Sequence, residues 1–311
     1  MGYLEMLNAR FKKIVGDQAS LRKVVEKDYK DVLLKKRSDA FFDGLYKSSY
    51  EASALVEKKF LNIGPGSFSH KYWSTADKYY DDKTWTESRR ETEQPKFDYT
   101  WDIYDHKELA IKPGSVNAVY CSHVVEHAFD DDVAFLFKDV FRILKSGGVF
   151  RVACPDADLL AKSYVEKDWA FFNHYLSVRT GRREIDFSKL EQYASSGVYE
   201  EFVLDWVSLV MNDRNPVHLN RSEAIEFFKK FDCMYTAFTE ASRLSDRDVN
   251  RSLGAHVNWF NYEKLLGLLT LAGFSKVRRS NYLQSSCAVM RDRYHFDRTD
   301  PEMTLYVEAV K

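Results

Sequence analysis

Cysteine is scarce in this chain of 311 residues, and the four cysteines, at positions 121, 154, 233 and 287, show neither metal-ligand spacing nor a disulfide framework. The formal net charge is only −1, so no general positive field would draw the chain to nucleic acid or to an anionic membrane. The longest nearly apolar run, 265–274, is too short to cross a bilayer. No N-terminal apolar stretch precedes a small-residue cleavage site. These absences predict a cytoplasmic protein without a membrane span or a nucleic-acid partner.

From residue 59 onward the sequence has a regular alternation of short apolar runs and helical patterns. The predicted strands are 60–63, a run ending at 77, 97–101, 118–121 and 149–154. A helix with one apolar face is predicted for 130–145, and Gly147-Gly148 should cap its end. Strands that alternate with helices imply parallel pairing through crossovers, and therefore a doubly wound sheet.

The C-terminal segment has a different pattern. A helix is predicted for 262–271, and two strands near 276–283 and 304–310 then follow without a helix between them. These two strands should form an antiparallel hairpin at the edge of the sheet. The predicted fold class is therefore α/β, with a Rossmann-like, doubly wound, mostly parallel sheet, a C-terminal antiparallel hairpin and a helical insertion.

A glycine-containing turn, Asn62-Ile63-Gly64-Pro65-Gly66, follows the first predicted strand. Its glycines allow a sharp turn and a close approach of the backbone to a ligand. A dinucleotide-binding fingerprint needs a third glycine three positions on, where the sequence has Ser69, and a phosphate-binding Gly-Lys-Ser/Thr string is also absent. The turn therefore favours a smaller nucleoside over a pyrophosphate, although a plain strand-to-loop turn stays open.

Acidic residues end the next two predicted strands. Asp77 can accept hydrogen bonds from both hydroxyls of a ribose, because an ionised carboxylate has two acceptor oxygens. Asp102 can accept from an adenine amino group while Ile103 packs on the ring. Each acid also has a structural alternative: Asp77 as a surface loop residue, and Asp102 as the N-cap of a short helix.

The string Ser122-His123-Val124-Val125-Glu126-His127 matches H-x-x-E-H, the inverted zinc-protease motif. In that motif both histidines would bind zinc from one helix face and Glu126 would act as the base. Here the string directly follows an apolar strand, which places His123 at a strand end rather than inside a long helix. A protease would also leave the glycine turn unexplained. We therefore predict no metal.

Five strings stand in a specific order: NIGPG, WDI, VYCSHVVEH, RILKSGG and VFRVACPD. Together they resemble class I S-adenosylmethionine (SAM)-dependent methyltransferases of the type 11 group. They look closest to a subgroup of predicted methyltransferases associated with glycan or cell-surface biosynthesis. The later strings GAHVNWFNYEKLLGLLTLAGF and MTLYVEAVK resemble the C-terminal pattern of that subgroup. The resemblance covers about 59–160 and 254–311.

The resemblance implies SAM as the cofactor. The residues implied to bind it are Asn62, Gly64, Gly66, Asp77, Asp102, Ile103, Ser122 and His123. The two glycines would approach the methionine part of SAM, and Asp77 would hold the ribose. Asp102 and Ile103 would contact the adenine, while Ser122 and His123 would line the methionine side near the sulfonium. Asn62 stands where many class I enzymes have an acid, so it cannot bind through a carboxylate.

Four segments follow from the patterns and the resemblance. Residues 1–57 are predicted to form an N-terminal helical cap, and residues 58–156 a SAM-binding Rossmann-like core. Residues 157–255 are mostly helical and aromatic, and are predicted to form an insertion that binds the methyl acceptor. Residues 256–311 are predicted to complete the core.

Methyl transfer to a hydroxyl is helped by a general base, and histidine is well matched to neutral pH. His127 is the first candidate because it falls just beyond a strand end that faces SAM; His256 and Asp156 follow. Each also has a structural alternative, as a helix-start, loop or N-cap residue. Tyr164 and Trp259 are candidate acceptor contacts, and core packing of these aromatic residues stays open.

The leading hypothesis is O-methylation of a hydroxyl on a sugar or a glycan. Its acceptor class comes from the resemblance and not from residues. The alternatives are a methyltransferase for another small metabolite and a SAM-binding module without activity. A nucleotide-linked oxidoreductase is disfavoured by the missing third glycine.

Overall fold

The computed structural model describes residues 18–78, 96–175 and 187–311. The chain divides into two compact units, Met1–Ala52 and Ser53–Lys311. In the first unit, helix α1 spans Gln18–Ser49, and a short helix α2 (Ala52–Val56) begins at the boundary. Helix is thus present where it was predicted, while residues 1–17 lie outside the described residues. That residues 1–57 act as a cap on the core stays a prediction.

The second unit is built on a seven-stranded sheet with the order β3-β2-β1-β4-β5-β7-β6. The strands are β1 (Phe60–Ile63), β2 (Ser74–Asp77), β3 (Tyr99–Thr100), β4 (Val116–Ser122), β5 (Leu144–Pro155), β6 (Lys276–Ser280) and β7 (Thr304–Val310). Strands β1 to β5 are parallel, and β7 pairs antiparallel with both β5 and β6. The predicted Rossmann-like fold class is confirmed.

The two C-terminal strands pair antiparallel with each other at the edge of the sheet, as predicted. Strand β7 lies between β5 and β6, so of these two strands β6 is the outer one. The reason lies in the sequences of the two strands. Five successive residues of β7 are buried, whereas β6, with the sequence KVRRS, has no buried residue. The apolar strand needs neighbours on both sides, and the charged strand is suited to a solvent-facing edge.

Helix α3 (Asp130–Ile143) buries its apolar face, which includes Val133, Leu136 and Phe137, in the core of the sheet. It ends earlier than predicted, because Leu144 already pairs with Val116 and starts β5. The two glycines at 147 and 148 therefore lie inside β5 and do not cap the helix.

Seven helices of the described residues follow β5. They are α4 (Ala157–Val165), α5 (Trp169–His174), α6 (Leu190–Ala194), α7 (Val198–Asp205), α8 (Arg221–Phe228), α9 (Met234–Arg243) and α10 (Arg247–Leu253). They build an aromatic core of their own, for example the stacked rings of Trp169 and Tyr199, 4.3 Å apart. Helix α11 (Tyr262–Leu271) then returns to the sheet core and has the predicted bounds.

A buried ion network joins β5 to the C-terminal segment. The guanidinium of Arg151 is fully buried, with Nη2 2.6 Å from Oδ2 of Asp297 and Nη1 3.2 Å from Oε1 of Glu308. Its charge also lies 4.7 Å from the ring centre of Tyr306. Both carboxylates are fully buried as well, but Glu308 also contacts Nη2 of Arg278 at 3.2 Å, so Asp297 depends most on this cation.

We therefore expect Arg151→Met to lower the free energy of unfolding by roughly 3–5 kcal/mol, because it leaves the buried carboxylate of Asp297 without its ion-pair partner. Urea unfolding followed by circular dichroism measures this loss. The control is Arg243→Ala, which removes an exposed pair with Glu240 and should cost less than about 1 kcal/mol. Equal losses for the two variants would contradict the assignment.

Candidate cofactor and active site

A cleft lies at the carboxyl ends of β1, β2 and β4, the edge at which parallel sheets of this kind bind ligands. Together with its open mouth it encloses about 800 Å³. Five of the eight predicted cofactor residues line it: Gly64, Gly66, Asp77, Ile103 and His123. Of the three candidate bases, His127 lines it.

The glycine turn after β1 forms one wall. Gly64 has φ +65° and Gly66 has φ +53°, which is the left-handed region that favours glycine. A Cβ atom built on Gly64 would overlap Cγ2 of Val124, a residue that also lines the cleft. Any side chain at position 64 would therefore be forced against the opposite wall.

The adenosine end of the cleft has a carboxylate and flat apolar walls. Asp77 ends β2, and one of its oxygens accepts a hydrogen bond from the backbone N–H of Lys78. Trp101 and Ile103 line the cleft beyond β3, and the indole N–H of Trp101 is held by the carbonyl of Lys107. Such walls suit a planar purine, and Asp77 is placed to accept from ribose hydroxyls.

Asp102 has a different role from the one predicted. Its side chain caps the short 3₁₀ helix Ile103–Asp105 through the N–H of Tyr104, and its other oxygen lies 3.0 Å from Nη2 of Arg251. Asp102 does not line the cleft, so the structural alternative describes its position better. Asn62 is buried within β1 and Ser122 ends β4; neither lines the cleft.

Lys78 is a cleft residue that the sequence analysis missed. Its ammonium donates to the carbonyl of Arg251 at 2.8 Å and lies 5.1 Å from the ring centre of Tyr104. Burial lowers the pKa of Lys78, and the nearby carboxylate of Asp102 acts against this shift. The signal that could have found it is its position directly after Asp77, at the end of a strand that faces the ligand edge.

His123 and His127 on the cleft wall belong to a cluster of titratable side chains, which we call the histidine cluster: His123, Glu126, His127 and His256. His123 follows β4 in the left-handed region at φ 54°, an uncommon and strained conformation for a residue with a side chain. Its Nδ1 lies 3.1 Å from Oε1 of Glu126. Nε2 of His127 and Nε2 of His256 each lie 3.9 Å from that same oxygen.

Backbone hydrogen bonds bring His256 to this cluster from 130 residues away along the chain. The carbonyl of Glu126 accepts from the N–H groups of Val257 (2.8 Å) and Asn258 (3.1 Å). The rings of His127 and His256 consequently meet edge to face, with their centres 4.7 Å apart.

The pKa values of two residues in the histidine cluster are strongly shifted. Burial acts to raise the pKa of Glu126, but the close imidazole of His123, with smaller contributions from His127 and His256, outweighs it and lowers the pKa to about 2. Burial and the neighbouring His127 lower the pKa of His256 to about 4, although Glu126 acts in the opposite direction. At neutral pH the cluster therefore holds an ionised carboxylate beside a neutral His256.

The remaining candidates lie away from the cleft. Asp156 is the N-cap of α4, and its other oxygen pairs with Nη2 of Arg279 at 2.8 Å. The hydroxyl of Tyr164 donates to Glu200 inside the aromatic core of the insertion. Trp259 lines a narrow crevice that Glu126 also lines, on the insertion side of the cluster.

The arrangement fits SAM. The glycine turn would allow a close backbone approach, Asp77 would accept from the ribose, and Trp101 and Ile103 would contact the adenine. Fold and cleft together define the class of protein, a Rossmann-like α/β protein with a ligand cleft at the carboxyl edge of its sheet.

Residues 65–152 match the family described as "Methyltransferase domain". This segment contains most of the strand ends that form the cleft. The chain is an enzyme that uses SAM as its methyl donor.

Similar solved structures include an SAM-dependent methyltransferase from Mesorhizobium loti, 14% identical, with 81% of this chain and 90% of that chain covered and a TM-score of 0.36. A possible exported protein from Bordetella parapertussis is 10% identical, with 89% and 68% covered and a TM-score of 0.36. The apo form of the methyltransferase SibL is 10% identical, with a TM-score of 0.34; 81% of this chain is covered, but only 50% of SibL. No functional assignment here rests on these similarities. No protein with a curated description matches the chain.

Gly64→Ala should weaken binding of S-adenosylhomocysteine by roughly tenfold or more, because the new Cβ overlaps Val124 at the cleft wall. Isothermal titration calorimetry measures the loss. Gly114→Ala is a matched control, since Gly114 has the same φ of +65° and open space around its Cβ position. Both variants carry the same backbone strain, so equal loss of binding in the two would refute the role of Gly64.

Proposed function

We propose that the enzyme methylates a hydroxyl group of a sugar or of a glycan-linked acceptor. The observation that carries the proposal is the place of His127, on the cleft wall beside the buried carboxylate of Glu126. The acceptor class is supported by the subgroup that the sequence motifs resemble, which is associated with glycan and cell-surface biosynthesis.

SAM supplies an electrophilic methyl group, which passes to the acceptor oxygen in an in-line displacement. The protein has to hold the hydroxyl at attack distance and to accept its proton. Nε2 of His127 lies 3.9 Å from the carboxylate of Glu126. The imidazole of His127 can accept the proton, and Glu126 stabilises the imidazolium that forms.

The position of His127 is fixed through its backbone. Its carbonyl accepts hydrogen bonds from the hydroxyl of Tyr104 at 2.6 Å and from the amide of Asn250 at 2.8 Å. A base held this way needs little reorganisation when the acceptor arrives. His256 lies behind His127, and Asp156 is engaged by its cap and by Arg279, so neither is the preferred base.

For the acceptor we propose contact with Trp259, because this residue lines a crevice with Glu126 and its indole N–H has no hydrogen-bond partner among the described residues. Tyr164 is not retained in this role, since its hydroxyl is already bonded to Glu200. The insertion remains the proposed acceptor-binding region.

No described helix combines the length and the apolar character that crossing a membrane requires. We propose that the enzyme works in the cytoplasm on a small or glycan-linked acceptor and not on nucleic acid. The near-neutral formal charge of −1 supports the last point.

His127→Ala should lower kcat by a factor of roughly 100 to 10,000 and leave S-adenosylhomocysteine binding intact, since it removes the base and not the cofactor walls. The measurement is transfer of labelled methyl from SAM to a panel of sugars, glycosides and other small hydroxylated or amine acceptors. His218→Ala, on an exposed loop, is the control and should behave as the parent.

Methylation of amines or of other metabolites, but of no sugar in the panel, would contradict the acceptor class. An unchanged kcat in His127→Ala would contradict the base.

A further inference from the structure

The carboxylate of Glu126 is buried among the imidazoles of His123, His127 and His256. The side chain is 1% exposed, and neither oxygen has a hydrogen-bond partner of good geometry among the described residues. A buried carboxylate is strongly unfavourable unless a cation compensates it. The surroundings of Glu126 must therefore accommodate positive charge.

The hydrogen bonds of His123 fix the imidazole ring that lies beside this carboxylate. The hydroxyl of Thr304 donates to the carbonyl of Asp300 at 2.8 Å, so it accepts from Nε2–H of His123 at 2.9 Å. Nδ1 of the same ring faces Oε1 of Glu126 at 3.1 Å. The ring of His123 is thus fixed between Thr304 and the buried carboxylate.

Two more nitrogen atoms point to the same oxygen. Nε2 of His127 and Nε2 of His256 are each 3.9 Å from Oε1 of Glu126, and these three ligand atoms lie within 4.8 Å of one another. Around a tetrahedral zinc ion with bonds of about 2.0–2.1 Å, neighbouring ligand atoms are separated by roughly 3.3 Å. Small side-chain movements would bring the three atoms to this spacing.

We propose that Glu126, His127 and His256 bind a divalent transition-metal cation of the zinc class. Two imidazoles and one carboxylate are a common ligand set for such ions, and they leave coordination positions open. The H-x-x-E-H string supplies two of the ligands, and the C-terminal segment supplies the third.

The site gives the cation a task in the proposed function, on which this part of the inference rests. A cation bound at the His127 wall of the cleft can bind two neighbouring hydroxyls of a sugar and lower the pKa of one of them. The proton passes to solvent, the oxygen forms its bond to the methyl carbon, and the carbon–sulfur bond breaks with its electron pair left on sulfur. In the metal-bound enzyme the cation replaces His127 as the group that activates the hydroxyl, and His127 acts as a ligand. In the metal-free enzyme His127 remains the proposed base. With the metal bound, the acceptor class narrows to vicinal diols.

A second group of potential metal ligands differs from the first because an arginine already pairs with its carboxylates. His106, Asp131 and Asp132 also lie close together, but Arg247 already pairs with both carboxylates at 2.6–2.8 Å. A metal ion there would compete with a bound guanidinium. The group therefore provides a matched control.

The test is titration of chelator-treated, full-length protein with Zn²⁺ by calorimetry and with Co²⁺ by visible absorption. We expect one equivalent of each metal and a Co²⁺ spectrum of nitrogen and oxygen ligation. Glu126→Gln and His256→Ala should each weaken binding by a factor of roughly 100 or more, and His106→Ala should not change it. Melting temperatures identify a variant that fails to fold. If one of the two ligand variants does not fold, the other one alone tests the site.

Absence of Zn²⁺ and Co²⁺ binding by the parent would overturn the inference. Equal loss of binding in His106→Ala would overturn it too. S-adenosylhomocysteine binding and methyl transfer, measured on the same samples, separate the two proposals. Metal binding without methyl transfer to any sugar would contradict only the proposed function. Methyl transfer that persists without metal would contradict only the catalytic role of the cation.

Discussion

The register of β1 between its two parallel neighbours is the constraint on which the site depends. Ile63 pairs with Ala76 on one side and with Cys121 on the other, so the three strands end at the same level. The glycine turn, Asp77 and His123 follow these ends directly. Because a parallel sheet brings its carboxyl ends to one edge, the cofactor wall and the histidine cluster face a single cleft.

Strained and buried groups concentrate at this edge. Gly64 takes a left-handed conformation opposite Val124, and His123 takes one despite its side chain. Glu126 is buried without good hydrogen bonds among the described residues. Such features cost stability and persist only where the surrounding structure holds them, here through the bonds from Val257 and Asn258 to the Glu126 carbonyl. Their presence at the cleft is consistent with a role in binding and chemistry.

Local sequence patterns predicted what local physics determines. Alternating apolar runs gave the order and type of β1, β2, β4 and β5, and the bounds of α11 agree with the prediction. The glycine turn and Asp77 were placed correctly because a strand end is readable from sequence. The end of α3 was missed because pairing of Leu144 with Val116 overrides the capping tendency of the glycines. The pattern did not predict which of β6 and β7 is the outer strand, because this depends on competition between the two strands for the buried place.

At the site, contacts between residues far apart in the sequence could not be predicted. No local signal shows that His256 meets Glu126, since their approach depends on hydrogen bonds between segments 130 residues apart. The side chain of Asp102 was misjudged for a similar reason, because its partner Arg251 comes from the insertion. The H-x-x-E-H string was visible from the start, but its meaning depends on that third, distant histidine.

The most direct test of the account is a calorimetric comparison of S-adenosylhomocysteine and NAD as ligands of the unmodified protein. The account predicts that one molecule of S-adenosylhomocysteine binds per chain and that NAD gives no signal at the same concentration. Binding of NAD without binding of S-adenosylhomocysteine would contradict the adenosyl site and every role derived from it.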